Sequence, residues 1–245
     1  MTPVHPEGPR YAAPLVFVPG LWCGPKSWRG PAGALAHRGW QGWLAARGGE
    51  GGVAARAREL ASAVAVLEQP PVLIGHDGGG LVALAAAQTI PVSAVVWVAP
   101  IVPGDRTLRR LVSPWHVLRA LVSGAPVPRP AAWDPATPGS EASEAAAVVV
   151  DVVRARVRPV MPRAPLLLLA GDADPRLHAA AHRALATALA ADTCVVAGAG
   201  SSPFASPAWQ EVVDRLHRWL VQRLGAGMLE LYEEAMAERD ADDGA

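Results

Sequence analysis

Residues 71–80 read Pro71-Val72-Leu73-Ile74-Gly75-His76-Asp77-Gly78-Gly79-Gly80. The apolar run Val72–Ile74, bounded by Pro71 and Gly75, reads as a buried strand. A helix of small residues, Gly79–Gln88, follows it. The glycines around His76-Asp77 permit a sharp turn and a close approach of helix to strand. The spacing is that of G-x-S-x-G, a strand–turn–helix whose middle residue stands out at the carboxyl edge of a sheet. Here the middle residue is Asp77, above a helix N-terminus, where that pattern has serine.

Outward from this stretch, short apolar runs alternate with longer segments of helical period. Strands are expected at Leu15–Val18, Trp40–Ala45, Ala94–Val98, Leu166–Ala170 and Thr193–Val196. Helices are expected at Lys26–His37, Val53–Leu67, Pro175–Leu189 and Pro207–Leu224, the third with a proline at an early position. Continuously apolar strands separated by helices predict an α/β fold with a mostly parallel sheet, covered by helices on both faces. The stretch 101–163 breaks the alternation. It is rich in Pro and Arg, with helical patches near Asp105–Ser123 and Ser140–Arg156. Its length predicts an inserted cap or lid between core segments 1–100 and 164–245. The tail Met228–Ala245 has helical propensity through Met236, then turns acidic, and is expected to be partly ordered at best.

Composition limits the function classes. The chain has 245 residues, is 51% hydrophobic and 18% charged, and has a net charge of +0. It can bury a substantial core, and it lacks the low hydrophobicity and high net charge of a disordered chain. The neutral balance argues against a dedicated nucleic-acid binder. Two cysteines, Cys23 and Cys194, form no disulfide framework, and no residue spacing suggests a metal site. The Pro-rich N-terminus lacks the apolar core of a signal peptide, and the longest apolar runs are far below the ~20 residues that cross a bilayer. A cytoplasmic, soluble protein with no membrane partner is expected. There are 9 Trp against 2 Tyr and 2 Phe, and Lys26 is the only lysine. The abundance of Ala, Arg, Gly and Pro is a GC-rich coding signature.

Three more segments fall into register with this strand–turn–helix, and together the four resemble the α/β-hydrolase superfamily. Leu15–Trp28 resembles its first-strand loop, so Gly20-Leu21 and Gly78 would supply the two backbone N–H groups of an oxyanion hole. Leu166–Pro175 resembles the segment carrying the triad acid, which maps to Asp174. Val195–Pro207 resembles the segment carrying the triad histidine. The resemblance covers roughly residues 14–223, with a lid in the usual place.

The chain departs from that family at several points. Gly75-His76-Asp77 matches epoxide hydrolases and haloalkane dehalogenases, in which the aspartate attacks carbon and a histidine-activated water releases the ester. The histidine position falls on Ser201, followed by Ser202, and Pro19 stands where histidine is common. A serine hydroxyl cannot act as a base near neutral pH.

Other histidines are candidates for that role. His116 lies in the lid. His178 and His182 are one helical turn apart, with a solvated helix face as their simpler reading. His76 adjoins Asp77, but the residue before the middle position usually points away from substrate. Asp77 itself has two readings: a carboxylate that merely accepts the N–H groups of Gly78 and Gly79, or a general acid/base of raised pKa. Asp174 is a second acid or a cap for the helix at Pro175.

A pocket is expected outside the carboxyl ends of the strands. Its expected residues are Leu21, Trp22, Asp77, Gly78, Pro100, Trp115, Trp133 and Ser201. Arg106, Arg109 and Arg110 could pair an anionic ligand, although solvated surface is the simpler reading. No phosphate fingerprint is complete, and no cofactor is expected. The resemblance and its departures imply an enzyme with an incomplete triad. Asp77 would do non-hydrolytic acid/base chemistry (isomerisation, epimerisation, elimination or cyclisation) on an apolar small molecule or peptide of specialised metabolism. An Asp77-nucleophile hydrolase and a non-catalytic ligand-binding pseudo-hydrolase are the alternatives.

Overall fold

The computed structural model describes residues 1–225 except 105, 132, 134–138, 177 and 178. In chain order the core begins with β1 (Thr2–Val4), β2 (Leu15–Val18), α1 (Arg29–Ala36), β3 (Gly42–Leu44), α2 (Val53–Val64), β4 (Val72–His76), α3 (Gly78–Ala86) and β5 (Ala94–Val98). A long connection follows, with α4 (Arg106–Leu111), α5 (Pro114–Ser123), β6 (Val127–Pro128), β7 (Ser143–Glu144) and α6 (Ala146–Val153). The chain then returns through β8 (Leu166–Gly171), α7 (Ala179–Ala188), β9 (Asp192–Val196) and α8 (Trp209–Leu224).

The seven-stranded sheet has the order β1-β3-β2-β4-β5-β8-β9. Only β1 is antiparallel to its neighbour. Strands β2, β4, β5 and β8 are buried along their whole length, which explains their continuous Val/Leu/Ile runs. Alternation of side chains divides them between two cores. Phe17, Ile74, Val96 and Leu167 are in register across the sheet and pack with Trp28, Trp40, Leu216 and Leu220 from α1, α8 and their flanks. Val16, Leu73, Val95 and Leu166 form the opposite row and pack with Leu60, Leu81 and Val149 from α2, α3 and α6. The fold is thus the expected α/β one.

Several element boundaries differ from expectation. The expected helix over Lys26–His37 is a 3-10 turn, Pro25–Trp28, followed by α1. The patch Asp105–Ser123 is two helices, because Pro114 cannot continue α4. The patch Ser140–Arg156 starts as strand β7 and becomes helical only at Ala146. Strand β1 had no sequence signal, since its Pro3 is tolerated only at a sheet edge. The expectation for the tail Met228–Ala245 lies outside the described residues.

Strand order reverses at β2, with β3 on one side and β4 on the other, and the helices after β2 and β4 pack on opposite faces of the sheet. The carboxyl edge at such a reversal is where ligands bind in open α/β sheets. The long connection is tied to the loop after β2. Backbone bonds run from Gly24 N to Gly139 O (2.9 Å) and from Glu141 N to Trp22 O (2.7 Å). Glu144, fully buried, accepts the N–H of Trp22 at 2.9 Å and a hydrogen bond from Arg56 of α2 at 2.8 Å. Among the described residues no helix is long and apolar enough to cross a membrane.

Candidate active site

At Asp77 the chain passes from β4 to α3 with φ +38° and ψ −109°, a conformation costly for any residue with a side chain. Asp77 N–H donates to Val98 O at 2.9 Å, and Trp97 Nε1 donates to Asp77 O at 2.6 Å. Trp97, fully buried, lies directly under the turn, so a Cβ on Gly80 would collide with its ring. Gly80 is therefore set by close packing on an indole, while a Cβ on Gly79 would meet the Val18 and Pro19 carbonyls and one on Gly78 the Leu21 side chain.

The Asp77 carboxylate is completely buried. Its Oδ1 accepts the N–H of Leu21 at 2.8 Å and that of Gly78. These are the two N–H groups that the resemblance assigned to an oxyanion, and Asp77 itself occupies the point between them. The alternative in which Asp77 meets Gly78 and Gly79 is corrected in one partner: Leu21, from the other loop, takes the place of Gly79. Oδ2 has no hydrogen-bond partner among the described residues. It faces His76 Nδ1 and Arg176 Nη1, each at 3.7 Å. Burial raises the Asp77 pKa above its ordinary 3.8, against the opposing pull of His76, Arg176 and the two N–H groups.

Arg176 had no role in the sequence reading. Its Nε and Nη2 reach Asp174 Oδ1 and Oδ2, both at 3.2 Å, and its N–H donates to Oδ1 at 2.9 Å. Nη2 also donates to the Ser201 carbonyl at 2.9 Å, and the guanidinium lies 5.0 Å from the ring centre of Trp133. Arg176 thus links Asp174 to Asp77, the place in a triad between acid and nucleophile. A guanidinium stays protonated and cannot serve as a base. The only sequence signal was its position two residues after Asp174, which fits a local turn equally well.

His76 also departs from expectation. Its ring is turned toward Asp77, and Nε2 lies 2.8 Å from the Ser201 carbonyl. A carbonyl oxygen only accepts, so Nε2 carries the hydrogen and Nδ1 faces Asp77 Oδ2. A proton on either of those two atoms makes the contact attractive. Both links explain the histidine position: Ser201 contributes its backbone carbonyl, which holds His76 and Arg176 together.

The remaining expected residues separate into two groups. Trp22 and Trp133 meet edge to face at 4.6 Å, Trp22 Nε1 donates to Val127 O at 2.9 Å, and Trp133 lies against Arg176 of the Asp77 cluster. Pro100 is buried just past the end of β5. Trp115, by contrast, is 65% exposed on α5 and lines nothing around Asp77, because the buried face of that helix is Val117 and Ala120. His116 is half-buried on the same helix and is not among the groups that meet Asp77. His182 is buried against the sheet with a hydrogen bond to the Leu168 backbone, and burial lowers its pKa. The solvated-face reading of that helix is therefore corrected at His182, while His178 lies outside the described residues. Arg106, Arg109 and Arg110 are exposed. Among the described residues no group of three His, Cys, Asp or Glu is placed to hold a metal ion.

A model described as the alpha/beta hydrolase family matches residues 15–215. The chain belongs to the alpha/beta hydrolase family. Solved members of the fold superpose along nearly all of it. The monoacylglycerol lipase of Paleococcus ferrophilus is 18% identical with a TM-score of 0.70, covering 90% of this chain and 98% of its own. MenH from S. aureus is 13% identical with a TM-score of 0.67, covering 90% and 97%. A thermophilic esterase from Thermogutta terrifontis is 17% identical with a TM-score of 0.66, covering 88% and 92%. At these identities the likeness concerns the fold. No curated protein matches the chain in sequence.

Proposed function

We propose that this alpha/beta hydrolase is an enzyme that uses Asp77 as a general acid/base in a non-hydrolytic reaction. The class is isomerisation, epimerisation, elimination or cyclisation of an apolar small molecule or peptide. The observation that carries the reading is Arg176 between Asp174 and Asp77. Ester hydrolysis through a triad needs a base there, and so does release of an ester formed on Asp77. A permanent cation supplies none. The same cation suits an oxygen that becomes negative when a neighbouring C–H proton is removed, while the N–H groups of Leu21 and Gly78 hold Asp77 Oδ1 in place. Asp77, with a raised pKa and one oxygen free of hydrogen-bond donors, suits the proton transfer. The cavity beside these N–H groups has an apolar part lined by Leu21, Leu60, Val82 and Val148, which suits an apolar substrate body, and a charged part lined by Arg47, Arg56 and Glu59.

The test is solvent-deuterium exchange into a panel of carbonyl compounds and peptides, read by mass spectrometry. Exchange in the wild type and its loss in Asp77→Asn, with a cooperative melt retained, is expected. Incorporation of ¹⁸O from labelled water into Asp77 during turnover would instead establish a nucleophile. A second reading, ligand binding without turnover, rests on the complete enclosure of Asp77. Tight binding with no exchange, equal in Asp77→Asn, would select it. The lid role of residues 101–163, a cytoplasmic setting and the absence of nucleic-acid and membrane partners belong to the same proposal.

A further inference from the structure

Helix α5 buries Val117 and Ala120 and turns an apolar stripe outward. Trp115 is 65%, Leu118 51% and Val122 80% exposed, with Leu121 beside them. This spacing puts the four on one face of the helix. A contiguous exposed stripe of this kind marks a contact surface. Arginines border it on both sides. Arg119, exposed, stands one turn from Trp115. On the other side Leu118 and Leu121 line a groove with Arg109 of α4 and Arg154 past the end of α6. From Arg106 to Trp133 the chain has five arginines and no Asp or Glu. The surface therefore fits an amphipathic segment with an apolar middle and acidic flanks.

Such a segment is present in the chain itself. Residues 226–245 lie outside the described residues, and their sequence holds seven Asp or Glu against one Arg. The net charge of +0 is thus a tail of −6 set against +6 in the rest of the chain. Within the tail Met228, Leu231, Tyr232, Ala235 and Met236 recur at helical spacing, with Glu230, Glu233 and Glu234 between them. The α5 of the same molecule is a poor target. Arg223, in the last turn of α8, pairs with Asp192 at the start of β9, on the amino edge of the sheet. Helix α5 packs on α6, whose Val152 carbonyl accepts the Gly104 N–H just past β5, on the carboxyl edge. From Gly225 to Leu231 the chain reaches at most about 22 Å, roughly half the diameter of a globular chain of this length.

We infer that α5 is the docking surface for the tail of a second copy of this chain. Leu231, Tyr232 and Met236 lie on the Trp115–Val122 stripe, with the tail's glutamates toward the arginines. Two such contacts related by a two-fold axis close a dimer. The inference goes beyond the Asp77 chemistry and stands whether or not Asp77 turns over a substrate.

Sedimentation equilibrium of the full chain reads the assembly. A dimer is expected at low salt, weakened at about 0.5 M salt. Val122→Glu, at an exposed position, should raise its dissociation constant roughly tenfold with the melt retained. A monomer at every concentration, or a dimer indifferent to Val122→Glu, would overturn the inference. The contact itself is read by carbodiimide, which couples an amine to a touching carboxylate. Lys26 is the only lysine, so Arg119→Lys adds one side-chain amine on α5 and keeps the charge. An equilibrated mixture of ¹⁴N- and ¹⁵N-labelled chains of this variant is cross-linked and mapped by mass spectrometry. Position 119 joined to Glu230, Glu233, Glu234 or Glu238 of the other isotope is the expected product. Products that always share one isotope would put the tail on its own molecule and refute the second copy. No cross-link from position 119 to the tail would refute the docking. Phosphatidylglycerol vesicles should not bind the protein; binding that Val122→Glu abolishes would assign the stripe to a lipid surface in place of the tail.

Discussion

Arg176 Nη1 stands 3.7 Å from Asp77 Oδ2, and the same guanidinium holds Asp174 at 3.2 Å. A charge that cannot be lost fills the position from which a histidine would take a proton. The two carboxylates are buried, so the cation neutralises them where water does so poorly. The arrangement favours a site that stabilises negative charge over one that activates a nucleophile.

Restoring the serine should therefore not restore an esterase. Asp77→Ser alone is expected to leave p-nitrophenyl acetate at the background rate, because the missing base is worth about 10²–10⁴-fold. The combination Asp77→Ser, Ser201→His and Arg176→Leu is expected to raise the rate. Hydrolysis by Asp77→Ser alone would reveal another base near position 77.

Removing the guanidinium should cost stability. Arg176→Met leaves Asp77 and Asp174 buried without their cation, a loss of about 3 kcal/mol. For a chain of this size that is a fall in Tm of roughly 6–12 °C. Adding Asp174→Asn should recover part of it. An unchanged melt for the single variant would mean that the bridge does not exist in solution.

The Asp77 pKa predicts a pH dependence with a definite sign. The folded state binds the Asp77 proton more tightly than the unfolded chain, whose value is near 3.8. This group's contribution is full below pH 3.8 and is lost as pH rises through the folded value. Urea melts of wild type and Asp77→Asn across that range are the measurement. The wild type should lose ground to the variant as pH rises. The opposite trend would mean that the ion pairs outweigh burial.

Glu144 is the side chain that ties the long connection to the Trp22 N–H, beside two backbone bonds. Glu144→Gln removes the charge opposite Arg56 and one acceptor used by Trp22 N–H or Ala145 N–H. A destabilisation of about 2–4 kcal/mol is expected. Hydrogen exchange at the Trp22 amide should speed up more than exchange in β8. Uniform acceleration would point to global unfolding in place of a local release.

The chain order of apolar runs, the Gly-His-Asp-Gly turn and the Asp174 segment were enough to specify the parallel sheet and its loops. These features are local. A strand buried on both faces must be apolar throughout, and a sharp turn packed on another element must be glycine. Leu21 and Gly78 were legible through the resemblance of their two loops to those of the α/β-hydrolase superfamily. The identity of the groups around Asp77 was not. Arg176 lies 99 positions from Asp77, and Ser201 acts through its carbonyl rather than its side chain. His76 needed a ring orientation that no pattern records. Trp115 and Trp133 carry the same side chain and lie in the same insertion, yet one faces solvent and the other covers the site. Sequence determined which loops would meet. Tertiary packing alone decided which charges those loops would bring within 4 Å of each other, because that distance depends on side-chain direction across elements far apart in the chain.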